Sequence, residues 1–154
     1  MKKDDVKEFW EEKEKEKNSK LIIATVADYI SGYENIKTFT SGLLYFMENG
    51  LYFENFSNNN WFSALFAGAN NKEFKKVEFS IPKTSIIGVT DSEGKKNKKE
   101  LNLKDKILRF LNFIPRFLII NYVDNNQKIL LKFKSVEEPL NICEKYYEAG
   151  NGPL

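Results

Sequence analysis

Leu43-Leu44-Tyr45-Phe46-Met47-Glu48-Asn49-Gly50-Leu51-Tyr52-Phe53 is the stretch whose reading decides the fold. Two short aromatic runs flank Met47-Glu48-Asn49-Gly50. Asn-Gly in such a place marks a β-hairpin, because both residues tolerate the positive φ of a tight turn. Alternation along the paired strands puts about half of Tyr45, Phe46, Tyr52 and Phe53 inside and half outside. Cross-strand packing therefore explains these rings better than base stacking does.

Outward from the hairpin the chain keeps reading as short strands. Leu21-Ile22-Ile23-Ala24-Thr25-Val26 is β-branched and brief, and Val77-Glu78-Phe79-Ser80-Ile81 alternates until Pro82 ends it. Ser85 to Thr90 is a further strand. Phe117 to Val123 and Lys128 to Phe133 form a second hairpin across Asp124-Asn125-Asn126. Residues 57–76 are a long connection. Residues 91–100 are a polar, Lys-rich loop.

Three stretches read as helix. Residues 1–19 are a charged N-terminal helix or extension in which Val6, Phe9, Trp10 and Lys13 share a face; a solvated helix pinned by Phe9 and Trp10 is expected. Leu103, Ile107, Phe110, Leu111 and Ile114 recur at helical spacing, with Asn102 as cap and Pro115 as stop. Near the C-terminus, Val136, Leu140, Cys143 and Tyr147 share a face that Ile142 and Tyr146 widen. Pro139 sits in the first turn or opens the helix, and Gly150 caps its end. No repeat or composition shift divides residues 20–150, which are expected to be one domain.

Composition closes off several functions. The 154 residues contain no His and a single cysteine, Cys143. Without His there is no Ser-His or Cys-His pair and no His metal site, and one thiol can build neither a zinc site nor an internal disulfide. No catalytic, cofactor or metal site is expected, and the chain is not read as an enzyme. Net charge is +2 and the only arginines are Arg109 and Arg116, which argues against nucleic acid. No apolar run approaches a membrane span of about 20 residues. A cytoplasmic location is expected.

Three stretches together resemble a pleckstrin-homology-like domain of the bacterial or GRAM type, over roughly residues 20–150. The first runs from Gly42 to Phe53. The second is Phe79-Ser80-Ile81-Pro82-Lys83-Thr84-Ser85-Ile86-Ile87-Gly88-Val89, similar to that family's strand–kink–strand segment. The third is the hairpin 117–133 leading into the helix 136–149. The resemblance implies a mainly β, α+β fold: a barrel of about seven antiparallel strands closed by one C-terminal helix, with the N-terminal helix added to it. Family members include lipid binders and protein binders, so the fold leaves function open.

Two segments are candidate contact sites. Lys95, Lys96, Lys98, Lys99, Lys104, Lys106 and Arg109, with Arg116, face only Glu100 and Asp105, a local charge of +6. Apolar residues from Leu103 to Phe113 interleave with them, as in a basic amphipathic helix at an anionic membrane surface. The family resemblance implies that loops at the open end serve as a ligand rim. Packing of 103–114 on the sheet is nonetheless the expected disposition, since apolar helix faces usually meet a core. Trp61, Phe62 and Phe66, with Leu65, form either a partner-binding patch or, as expected of such residues, a buried lid. The leading expectation is a non-catalytic module binding anionic lipid or membrane peripherally. The alternative is a protein-interaction or self-associating module. Cys143 is expected to be buried and inert.

Overall fold

A computed structural model describes residues 3–56, 75–135 and 137–150. In chain order the elements are α1 (Lys3–Lys17), β1 (Leu21–Ser31), β2 (Thr40–Met47), β3 (Gly50–Asn55), β4 (Glu78–Pro82), β5 (Ile86–Asp91), α2 (Leu103–Phe110), β6 (Phe117–Asp124), β7 (Gln127–Ser135) and α3 (Pro139–Glu148). Short 3₁₀ turns occupy Lys83–Ser85 and Lys98–Glu100. Trp61, Phe62, Leu65 and Phe66 lie outside the described residues.

The strands form one antiparallel sheet of seven, in the order β4-β3-β2-β1-β7-β6-β5. Phe46, Leu51, Phe53, Phe79, Ile81, Leu118, Ile120, Leu131 and Phe133 turn to one side of the sheet and make the core. Each alternates with residues of the opposite side, as the two-residue period of a strand requires. β2 is buried on both sides, because Leu43, Tyr45 and Met47 face away from that core and are covered by Phe9 and Trp10 of α1. The Trp10 and Tyr45 rings meet edge to face at 5.5 Å, and Tyr45 stacks on Tyr52 at 5.3 Å. α1 is thus fixed by its few apolar residues and by Lys13, whose half-buried ammonium pairs with Glu54 of β3 at 2.9 Å, while most of its charges remain outside.

Both hairpins form, by different chemistry. Asn125 and Asn126 adopt φ of 49° and 62°, the left-handed pair that a two-residue turn needs. In the first hairpin the turn residues are Glu48 and Asn49, since Met47 already pairs with Gly50. Neither Asn49 nor Gly50 has positive φ, so the reason expected from the sequence does not apply. Gly50 is required by proximity instead: a Cβ there would stand 2.5 Å from the Ile81 carbonyl oxygen. Asn49 ties the turn to the end of α1, accepting no strain but donating from its side chain to the Lys17 carbonyl at 3.1 Å.

The edge strands β4 and β5 are consecutive in the chain, joined only by the turn at Lys83–Ser85. The sheet must curl enough to bring its two edges within one turn of each other at that end. No hydrogen-bonded ladder joins β4 to β5 among the described residues, so the sheet is open. The expected barrel is therefore met in strand number, direction and C-terminal helix, but not in closure. α3 begins at Pro139, the favoured first position, and buries Leu140, Ile142, Cys143, Tyr146 and Tyr147. The Tyr147 hydroxyl donates to the Val89 carbonyl at 3.0 Å and accepts from the Val89 N–H at 2.9 Å. It takes up the edge groups of β5 that a seventh, closing ladder would have used.

Candidate functional site

The connection between β5 and β6 holds the helix on which the sequence reading turned. β5 ends at Asp91, whose side chain points inward and is 1% exposed. Its Oδ1 accepts from the N–H groups of Glu93 at 2.9 Å and Lys95 at 2.8 Å, shaping the loop that follows. Its Oδ2 accepts from Arg109 Nη2 on α2. Arg109 Nη1 also donates to Glu138, just before α3, at 2.6 Å, and Nη2 lies 3.3 Å from Glu93. Burial opposes the charge on this guanidinium, but the Asp91 hydrogen bond and the three surrounding carboxylates outweigh it and hold its pKa above the ordinary value.

Asp105 stands four residues before Arg109, on the same side of α2. It forms an ion pair with Lys95, which also lies 3.8 Å from Glu93. The Lys95 hydrogen bond, then the Asn102 N–H, lower the Asp105 pKa, and Asp105 raises that of Lys95 in return. Asn102 and Asp105 complete a reciprocal capping box. The other end is closed equally well. Asn112, at φ 58°, donates to the Arg109 carbonyl at 3.0 Å, and Phe113 donates to the Leu108 carbonyl at 2.9 Å. This is a Schellman turn with Asn in the left-handed position.

The polar side of α2 therefore faces the protein and its apolar side faces out. Leu103 is 74% exposed, Ile107 50%, Phe110 85%, Leu111 52% and Phe113 72%. No residue of the helix is buried. The expectation that 103–114 would pack on the core is overturned, because the buried carboxylate of Asp91 and the half-buried one of Glu138 claim Arg109 and bring the opposite face inward. At about 100° per residue, Lys104 and Lys106 fall on the two flanks of the apolar ridge. Both are exposed and neither meets a carboxylate among the described residues.

The basic residues singled out in the sequence thus divide. Lys98 and Lys99 are exposed on the 3₁₀ turn before α2. Lys96 places its ammonium 5.3 Å over the Tyr147 ring. Lys95 and Arg109, expected on the ligand rim, are committed to ion pairs that hold α2 down. Arg116 is exposed and donates to Asn112 at 3.3 Å. Asp91, Glu93 and Glu138 were not anticipated; they lie 18, 16 and 29 positions from Arg109, and no local pattern connects them.

Other chemistry is sparse. Among the described residues no group of acidic and Cys side chains is disposed to hold a metal ion. Cys143 is buried, and burial, aided by the charge of Asp91, pushes its thiol up to about 12. No described helix is long and apolar enough to cross a membrane.

No family model matches the chain. No curated protein shows significant similarity to it. Among solved structures, the C-terminal domain of an unknown protein from Leishmania infantum aligns over 94% of this chain and 97% of its own, with a TM-score of 0.47 and 11% identity.

Proposed function

We propose that this chain is a non-catalytic binding module of pleckstrin-homology-like construction that docks peripherally on anionic membranes through α2. The fold half of the reading is supported by the strand order, by the single turn linking the two edge strands, and by α3 packing across the β5 edge. The functional half rests on one observation: α2 is clamped with its ionic side down and its apolar ridge outward. Contiguous exposed apolar surface is what a soluble fold avoids unless something covers it. A ridge ending in Phe110 and Phe113 and flanked by Lys104 and Lys106 suits the boundary between acyl chains and anionic headgroups.

A second copy of the chain is a poorer occupant of this ridge. A twofold contact through α2 would set Lys104 and Lys106 of one molecule against those of the other, and Asp105 is turned away to Lys95. Co-sedimentation with neutral and anionic vesicles at low and high salt tests the proposal. Binding to the anionic vesicles that weakens with salt is expected. Failure to bind either kind removes the proposal and returns the ridge to a protein partner.

A further inference from the structure

The side of the sheet facing away from the core is treated differently in its two halves. Across β1–β3 it is covered by α1. Across β5–β7 no described helix packs on it, and its residues stay partly or fully exposed. β6 presents Phe117, Ile119, Asn121 and Val123 there, and β7 presents Lys128, Leu130, Lys132 and Lys134. Ile87 of β5 is also exposed. Lys132 holds its ammonium 4.0 Å over the Phe117 ring, and none of these residues is acidic. Asp28, across the β1–β7 ladder from Lys134, accepts from the Ser41 hydroxyl at 2.5 Å.

This face borders α2. Phe113, Arg116 and Phe117 follow one another along the chain, and a cleft of about 450 Å³ is lined by Asn112, Ile114, Pro115 and Arg116 on one side and by Asp28, Lys134 and Ser135 on the other. The covered half of the curled sheet has the opposite character: α1, which lies over it, carries seven carboxylates and five lysines. We infer that the uncovered face of β5–β6–β7 is a second contact with the anionic surface that α2 enters, so that the protein docks with this half of the sheet down and α1 away. The inference rests on the reading of α2 and adds an orientation and three headgroup contacts to it. Charge complementarity favours it: the side chains named on β5–β7 include lysines and no carboxylate, Asp28 beyond the β1 border accepts from Ser41, and the lysines meet headgroups while α1 is kept clear of them.

The test measures vesicle partition of the intact chain, using phosphatidylcholine vesicles with and without phosphatidylserine. K128Q/K132Q/K134Q is compared with K3Q/K7Q/K15Q, which removes the same charge from α1. Thermal melts verify that both variants stay folded. The first variant is expected to lose roughly ten- to hundred-fold in affinity for the anionic vesicles, with a shallower salt dependence, while the second stays within about two-fold of the wild type. Wild-type binding that survives K128Q/K132Q/K134Q unchanged overturns the inference alone and leaves the face to an acidic protein. Equal losses in the two variants overturn it as well, because net charge rather than a face would then be responsible. Absence of any wild-type binding overturns the reading of α2, and this inference with it.

Discussion

The double substitution F110S/F113S separates the two roles an exposed aromatic ridge can have. Phe110 and Phe113 are 85% and 72% exposed, so folding leaves nearly all their surface in water. Removing them forfeits little native packing, and the stability change should stay within about 0.5 kcal/mol, as for other surface sites. Membrane docking would bury what folding does not. A fully buried Phe contributes about 1.5–3 kcal/mol. Scaled by the exposed fractions, the pair amounts to about 2–5 kcal/mol, a factor of roughly 50 to 3,000 in partition. Urea denaturation measures the first quantity and vesicle co-sedimentation the second. Stability lost by more than about 1 kcal/mol would refute the outward placement of α2. Unchanged partition with stability intact would refute the membrane as what covers the ridge.

Arg109→Met should behave in the opposite way. It leaves Asp91, 1% exposed at its side chain, without its cation, and breaking such a pair should destabilise the fold by about 3 kcal/mol in urea titration. K104Q/K106Q should stay within about 0.5 kcal/mol in the same assay. Tyr147→Phe keeps the ring but strands the N–H and C=O of Val89 in a buried place. A loss of about 2 kcal/mol is expected, and no change in denaturation midpoint would mean that the β5 edge is satisfied in another way. The Asp105 carboxyl is held below its ordinary 3.8 by Lys95 and the Asn102 N–H. A depressed folded pKa stabilises above the unfolded value and is lost as pH falls through the folded one. The Asn102 amide resonance should accordingly titrate with a midpoint below 3.8, and a midpoint at or above it would contradict the capping box.

Most of the strands were legible because their signals are local. Strict alternation at Val77–Ile81, the stop at Pro82 and the Asn pair at 125 and 126 each act within a few residues, and the structure uses them as read. The Asn49-Gly50 signal led to the right hairpin for a different reason. What decides Gly50 is the carbonyl of Ile81, 31 positions away and invisible to any local reading. Barrel closure was overestimated for a related cause. Strand count says nothing about an edge, and here the edge groups of Val89 are claimed by a tyrosine 58 residues later.

The candidate site shows a sharper limit. Periodicity over Leu103–Phe110 establishes that two faces exist, but not which one meets the protein. That choice is made by burial of charge. Asp91 is almost fully enclosed, and a carboxylate in that position demands a cation. Arg109 supplies it, and Asp105 with Lys95 fixes the same side one turn earlier. Turning the helix over to bury Leu103, Ile107 and Phe110 would strand Asp91 in the interior. The exposed ridge is thus the lower-energy arrangement for the free chain, and both helix ends are capped in it. A surface held rigid in this way needs little reordering to meet a partner, so most of the free energy of covering it remains available for binding. An apolar helix left exposed by default would lack that property, because nothing would fix its orientation before contact.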